Sequence, residues 1–506
     1  MLASGLALAA AFPKVGWHPL AWIAVAPLLL AVTDTSPVRA WWHGFLFGAA
    51  FRTATLYWVI HAMTRFGGLS VPIAALGVGL LVAYLAAYWG LFALVANRAG
   101  VERPEAVLLL AATWTGLEYV QSVFLSGFPW ALLGYAGAEY LPVAQVADLA
   151  GVFGLSFLLM LGNCALAAAV RGRPGWRATA VLAAVILAAS VLYGYARLSS
   201  GPPIHGGTVV PVALVQGNVA QDTKWDPELR ERTLDRHLRL SERGASGGAR
   251  LVVWPESSWP DPYGVERDAR ATMLLTGLAQ RTGAALVVGT VHVEDTDTGY
   301  AVANAAVVVD GDGSWAGRYE KTHLVPFGEY LPLQRFLRFL GPLVQAVGAM
   351  RPGDSAQPLL TAPSVQVPPF GMAICYEIIF PSLVRRQVRA GAQFLITITN
   401  DAWYGTSSGP FQHFAMARLR AIENRRWLLR AANTGVSGVI DPWGRVLERT
   451  EMETEAVVVS EVRTRDDLTL YVRIGDVFAL TCTLLALACV AGVIWPRLGW
   501  MYGRVT

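Results

Sequence analysis

Eight apolar runs interrupt this chain, and they restrict what it can fold into more than any other feature. They lie at 3–12, 17–32, 40–61, 72–96, 104–124, 149–170, 177–197 and 474–495. A helix needs roughly 20 apolar residues to cross the hydrocarbon core of a bilayer, somewhat fewer where its ends snorkel. Pro13, Lys14 and Gly16 interrupt the first stretch, so 3–32 reads as two short tilted helices or as one kinked, partly re-entrant element. No basic residue precedes it and more crossings follow at once, which favours membrane structure over a cleavable leader. The mean hydropathy of +0.43 averages two regimes. Residues 1–200 hold few charges, 201–473 hold most of the Asp, Glu, Lys and Arg, and apolar character returns after Gly475. The expected organisation is a transmembrane region over 1–200 with seven crossings, a soluble domain over 201–473, and a last helix with a short tail over 474–506.

The arginines orient this arrangement. With eight crossings, Arg39, then Arg98 and Arg103, then Arg171, Arg173 and Arg177, and finally Arg497 and Arg504 fall on one side, against mainly Lys14 and Arg65 on the other. The positive-inside rule then puts both termini in the cytoplasm and the soluble domain outside. The formal net charge of +4 largely reflects this bias. No glycine-rich phosphate loop, zinc-finger spacing or aromatic-interleaved basic patch is present, so no nucleic-acid partner is expected. A transporter should carry paired charges inside its crossings; Arg52 is the one evident basic residue well inside a run, which argues against transport.

The segment 201–473 is long enough to bury its own core. Short β-branched runs at Val209–Gln216, Leu251–Trp254, Ala285–Thr290, Ala303–Val309, Gly371–Ile374 and Phe394–Thr399 read as strands. Stretches 228–243, 266–281 and 410–426 have helical spacing with i,i+4 charge partners. Continuous apolar strands alternating with helices point to a layered α/β or α+β fold with a covered sheet.

Three ionisable residues follow strand-like runs. Cys164, Cys482 and Cys489 lie in apolar segments, so Cys375 is the sole cysteine of the soluble domain and has no intradomain partner for a disulfide. A buried inert thiol is the plain reading of such a residue, but Ile374-Cys375-Tyr376-Glu377 passes from strand straight to polar residues, where a nucleophile would be displayed. Pro255 holds Trp254 extended and delivers Glu256 to a strand end. Lys321 opens a loop running to Glu329. An unperturbed thiol has a pKa of about 8.5, so it needs a base and a neighbouring cation to attack at neutral pH. Glu256 and Lys321 are of those types, although a solvated lysine and an ordinary salt bridge would be the commoner fates of such residues.

The set Trp254-Pro255-Glu256-Ser257, Lys321-Thr322-His323-Leu324-Val325-Pro326-Phe327-Gly328-Glu329-Tyr330 and Ile374-Cys375-Tyr376-Glu377 resembles the nitrilase (carbon-nitrogen hydrolase) superfamily and, more closely, the apolipoprotein N-acyltransferases. The resemblance covers essentially the whole chain, because that family also inserts its catalytic domain before the last of eight crossings. It implies an α-helical transmembrane bundle plus an inserted α/β nitrilase-like αββα sandwich. It implies Glu256 as general base, Lys321 as catalytic lysine and Cys375 as acyl-accepting nucleophile. Glu329 matches a further essential glutamate, Tyr376 and Glu377 match functional residues beside the cysteine, and Trp225 matches an aromatic near the substrate entrance. His323 reads as structural or peripheral, with no metal role.

What the resemblance implies of the reaction is transfer of the sn-1 acyl chain of a membrane phospholipid, commonly phosphatidylethanolamine, through a cysteine thioester. The acceptor is the α-amine of the S-diacylglyceryl cysteine of an apolipoprotein. The expected setting is the inner membrane of a bacterium with the catalytic domain periplasmic, the chain a monomer, and no cofactor or metal involved. Apolar loop material at Leu331–Val344 is expected either to dip toward the headgroups or to cover the domain as a core helix. Gly127-Phe128-Pro129-Trp130 and the stretch after Gly154 suit close helix packing or an acyl groove. A membrane-tethered amidase using the same three residues with water as acceptor is the rival reading, and a transporter with a degenerate outer domain a more distant one.

Overall fold

The computed structural model describes residues 1–200, 207–221, 228–297, 299–330 and 350–494. It divides into two compact units, one formed by Met1–Ile60, Val71–Gly201 and the C-terminal segment from Arg473, the other by His61–Ser70 and Pro202–Val472. Trp225, Leu331–Val344 and the tail arginines Arg497 and Arg504 lie outside the described residues.

Among the described residues of the first unit, four helices are long and apolar enough to cross a membrane: Val71–Ala99, Pro104–Ser126, Ala147–Arg171 and Trp176–Ser199. Val477–Ile494 is shorter. The stretch expected at 3–32 forms Leu2–Ala10, a 3-10 turn at His18–Trp22 and Ala26–Val32. At about 1.5 Å per residue, none of these pieces alone spans a core of about 30 Å. The run expected at 40–61 is likewise divided, into Pro37–Leu56 and Trp58–Arg65.

Small residues let these helices approach. A Cβ on Gly44 would stand 2.3 Å from the Trp89 carbonyl oxygen, and one on Gly116 would stand 2.5 Å from that of Cys482. Val477–Ile494 therefore packs directly on Pro104–Val123 despite the long stretch of chain between them. Trp89 stacks on Trp114 with ring centres 3.7 Å apart. Polar groups sit inside as well. Arg52 is fully buried and donates to the carbonyls of Trp130 and Ala131 and to Gln121 Oε1. Glu118, also buried, accepts from the Leu133 N–H. These side chains satisfy the non-helical backbone around 124–133, where Leu125, Ser126 and Ala131 have positive φ. The stretch Gly127–Trp130 is thus a polar-braced turn.

The second unit contains two six-stranded sheets. The first orders β12-β1-β2-β3-β4-β5, with β1 Val209–Gln216, β2 Leu251–Val253, β3 Ala285–Thr296, β4 Gly299–Val309, β5 Trp315–Glu320 and β12 Ala456–Arg463. The second orders β11-β10-β9-β8-β7-β6, with β6 Leu360–Ala362, β7 Val367–Ile374, β8 Leu395–Thr399, β9 Leu428–Ala432, β10 Gly438–Ile440 and β11 Val446–Arg449. Strands β1, β2 and β3 run parallel, as do β7, β8 and β9. Alternation along each strand splits its side chains between two cores. Val212, Leu214, Val253 and Val287 pack inward with Met372, Ile374, Ile396 and Leu429 of the other sheet. Their neighbours Ala213, Val252 and Leu286 face Leu234 and Leu240 of helix Arg230–Ser246 and Leu275 and Leu278 of helix Ala269–Thr282. Helices Pro381–Arg389 and Gly409–Asn424 pack on β7 and β9. The layers are therefore helix, sheet, sheet, helix.

Candidate active site

The site forms where strand ends converge. In a parallel sheet the residues just past the C-terminal ends lie on one edge, and β2 leads to Glu256, β7 to Cys375 and β8 to Asn400. Lys321 follows β5 directly. All three proposed chemical groups are buried: Glu256 is 5% exposed, Lys321 1% and Cys375 5%.

Lys321 occupies a carboxylate cradle. Its Nζ lies 2.7 Å from Glu329 Oε1 and 3.5 Å from Glu256 Oε1. Burial alone would lower the ammonium's pKa; the charges of Glu329 and Glu256 outweigh it and hold the lysine well above its usual range. Asn304 connects the two glutamates, its Nδ2 donating to Glu256 Oε1 at 2.7 Å and to Glu329 Oε1 at 3.2 Å. The Asn304 carbonyl also accepts from the Lys321 N–H at 2.8 Å. The second oxygen of Glu256 accepts from the Asn400 N–H at 2.8 Å, and that of Glu329 from the Val325 N–H at 2.8 Å. Both carboxylates are thus held by oriented donors.

Cys375 begins a short 3-10 turn with φ of 52°. A left-handed backbone costs a non-glycine residue about 1–2 kcal/mol, so the surrounding contacts must sustain it. Burial pushes the thiol up to about 12, the Glu256 charge adds to this, and Lys321 and a hydrogen bond with Thr399 oppose it. The resting group is a neutral thiol.

Glu377 joins the lysine loop to the cysteine turn. Its carboxylate is fully buried and accepts from the Ile374 N–H at 2.8 Å, the Thr322 N–H at 2.6 Å, the Thr322 hydroxyl at 2.8 Å and the His323 N–H at 3.1 Å. The Tyr319 hydroxyl donates to it at 3.0 Å. Burial raises its pKa, and the backbone donors counter that rise only in part. Tyr376 is buried in an aromatic cluster, its ring centre 5.2 Å from Phe380, while His323 lies 3.8 Å from the same phenylalanine. Burial and then the positive charge of Lys321 hold His323 down at about 4.

Of the residues singled out from sequence, Glu256, Lys321, Glu329, Cys375, Tyr376 and Glu377 come together, and Trp225 lies outside the described residues. Asn304 and Asn400 escaped sequence reasoning. Asn400 carried a usable signal, since Thr399-Asn400-Asp401 ends an apolar strand as Pro255-Glu256 does; Asn304 sits mid-strand and carried none. A surface cleft of about 620 Å³ lined by Glu266, His292, Arg318, Glu320 and Arg351 includes none of the converging residues, and its charges pair with one another.

The carbon-nitrogen hydrolase family matches residues 211–466, and the apolipoprotein N-acyltransferase N-terminal domain matches residues 4–165. Among similar proteins is the apolipoprotein N-acyltransferase of Geobacter metallireducens, 40% identical, with 98% of this chain and 94% of the relative covered. Those of Azotobacter vinelandii and Pseudomonas aeruginosa are 36% and 34% identical, covering 93% and 98% of this chain and 90% and 95% of theirs. A solved carbon-nitrogen hydrolase from Helicobacter pylori is 17% identical, covers 58% of this chain and 95% of its own, and aligns with a TM-score of 0.39. With matches of this identity running almost end to end, the chain is a member of the apolipoprotein N-acyltransferase family.

Proposed function

We propose that this protein N-acylates bacterial lipoproteins, with Cys375 as the residue that carries the acyl chain. The observation that carries the reading is the buried Lys321 held between Glu256 and Glu329 within electrostatic reach of the Cys375 thiol. In the first step Cys375 Sγ attacks the sn-1 ester carbonyl of a membrane phospholipid, phosphatidylethanolamine being the expected donor. The thiol proton passes to Glu256. Burial holds the thiol above its ordinary range, so Glu256 is needed to take its proton on attack. Lys321 stabilises the tetrahedral oxyanion. Collapse expels the lysophospholipid, whose oxygen takes the proton from Glu256, and leaves a thioester. In the second step the α-amine of the S-diacylglyceryl cysteine adds to that carbonyl and loses a proton to Glu256; the thiolate leaves and is reprotonated. Glu329 fixes the lysine, Glu377 fixes the turn bearing Cys375 and Tyr376, and Trp225 contributes to the substrate entrance.

Both substrates are lipids, so a domain over 201–473 tethered on both sides meets them without extracting their chains. The proposed topology has eight crossings, both termini cytoplasmic and the catalytic domain on the periplasmic side of the inner membrane, on the evidence of the arginine distribution. Labelling of introduced cysteines tests it: Asp295 protected in intact cells with Arg173 reactive would reverse the orientation.

The activity is tested by reconstituting the protein with acyl-labelled phospholipid and a diacylated lipopeptide. Label is expected on the lipopeptide amine. Release of free fatty acid at the same rate with or without lipopeptide would instead favour a hydrolase.

A further inference from the structure

Three buried side chains that the proposed reaction does not use converge on the backbone of the nucleophile. His413, on helix Gly409–Asn424, places Nε2 3.0 Å from the Cys375 carbonyl oxygen. A carbonyl can only accept, so Nε2 carries the proton. Arg430, on β9, brings Nη2 to 3.1 Å from His413 Nδ1. Nδ1 faces Asp401 Oδ1, which can only accept, as well as Arg430, and whichever of these it takes, the contact with the Cys375 carbonyl requires the proton on Nε2. Asp401, just past β8, completes the set: its Oδ2 accepts from Arg430 at 2.7 Å, its Oδ1 accepts from the Thr399 hydroxyl at 3.0 Å, and the latter oxygen stands 3.1 Å from His413 Nδ1. His413 and Arg430 are fully buried and Asp401 is 1% exposed. The fit leaves no spare room, because a Cβ on Gly435 would stand 2.2 Å from Asp401 Oδ2.

The carbonyl so held belongs to the one residue of the site whose strained backbone, φ 52°, bears the thiol. A peptide group is planar, so fixing the Cys375 C=O also fixes the direction of the Tyr376 N–H and the turn from which Sγ projects. The loop that supplies Asp401 supplies the Asn400 N–H to Glu256 as well. One strand end thus sets the base directly and the nucleophile through a histidine.

We propose that His413 is a positioning residue for the nucleophile, its Nε2–H clamping the Cys375 carbonyl while Arg430 and Asp401 hold the ring in place at Nδ1. The inference rests on Cys375 as the acyl carrier.

The test is the rate of thioester formation with phospholipid alone, read by intact mass after rapid quench, in His413→Gln and His413→Asn. The amide N–H of glutamine reaches about as far as Nε2, whereas that of asparagine stops at the position of Nδ1. Misplacing a nucleophile by about 1 Å costs on the order of 100-fold. The asparagine variant should therefore lose about 100-fold in acylation rate at saturating phospholipid, with KM unchanged, and the glutamine variant should recover to within about tenfold of wild type at a similar melting temperature. Equal rates in the two variants, or a loss confined to KM, would overturn the proposal. If the asparagine variant does not fold, Asp401→Asn decides the matter: it frees the ring without removing it, and acylation at the wild-type rate would count against the clamp. Absence of any adduct on Cys375 in wild type would instead overturn the acyl-carrier reading itself.

Discussion

Both units bury charge, and they use it differently. In the helical unit Arg52 directs its donors at two backbone carbonyls and a glutamine, so its charge braces a non-helical turn among apolar helices. In the sandwich unit Lys321 faces two carboxylates and a thiol, and its backbone N–H is satisfied separately. A cation that closes backbone valences maintains a fold; one surrounded by side-chain acids and a thiol has the surroundings the proposed reaction requires. Neither pattern follows from burial alone, since both side chains are within 1% of fully buried.

That contrast can be broken most directly at the proposed nucleophile. Cys375→Ala and Glu256→Gln should insert and fold yet form no hydroxylamine-labile adduct with phospholipid; an adduct surviving in the alanine variant would remove Cys375 from the reaction. The helical counterpart is Arg52→Met, which strands three buried acceptors. Leaving a buried acceptor unsatisfied costs about 1–3 kcal/mol, so a large drop in melting temperature is expected with the acylation rate per folded molecule unchanged. A stable variant with a slow first step would assign Arg52 to catalysis.

Glu329→Gln keeps a hydrogen-bonding side chain beside Lys321 but removes the charge that most raises the lysine. Transfer to the lipopeptide should fall by about 100-fold, or roughly 2.7 kcal/mol, with the fold retained. Near-normal turnover would reduce Glu329 to a loop brace. The smallest effect concerns His323. Its folded-state value, about 4, lies below that of the unfolded chain, near 6.5, so the neutral ring is the form the fold favours. The stability this contributes is fully present above about pH 6.5 and is lost as pH falls toward 4, roughly 2 kcal/mol by pH 5. Unfolding of His323→Phe should lack that part of the acid sensitivity; a profile parallel to wild type would show that His323 does not titrate there.

Much of the site was legible locally. Glu256 and Cys375 each follow an apolar run, and strands β1 and β8 begin and end within a residue of where β-branched composition puts them. Strands β5, β6 and β9 to β12 were not anticipated, because several are short or present half-exposed alternation that also suits loops. The end of 40–61 reads as continuous in hydropathy, yet hydropathy counts transfer energy and does not register where a backbone bends, whereas Pro13, Lys14 and Gly16 already divide 3–32 in the sequence.

By itself, then, the sequence determined the contrast between apolar stretches and a charged stretch, the layered α/β or α+β character of the latter, and that Glu256 and Cys375 stand at strand ends. These are properties of neighbours in the chain: periodicity, apolar run length and the restriction proline places on the residue before it. Only the tertiary structure decided what holds those groups. The Asn400 N–H meets Glu256 across 144 positions, the Asn304 amide meets it across 48, and His413 meets the Cys375 carbonyl across 38. Hydrogen bonds of that reach leave no local mark, because a backbone N–H or carbonyl is the same in every residue and its partner is chosen by packing.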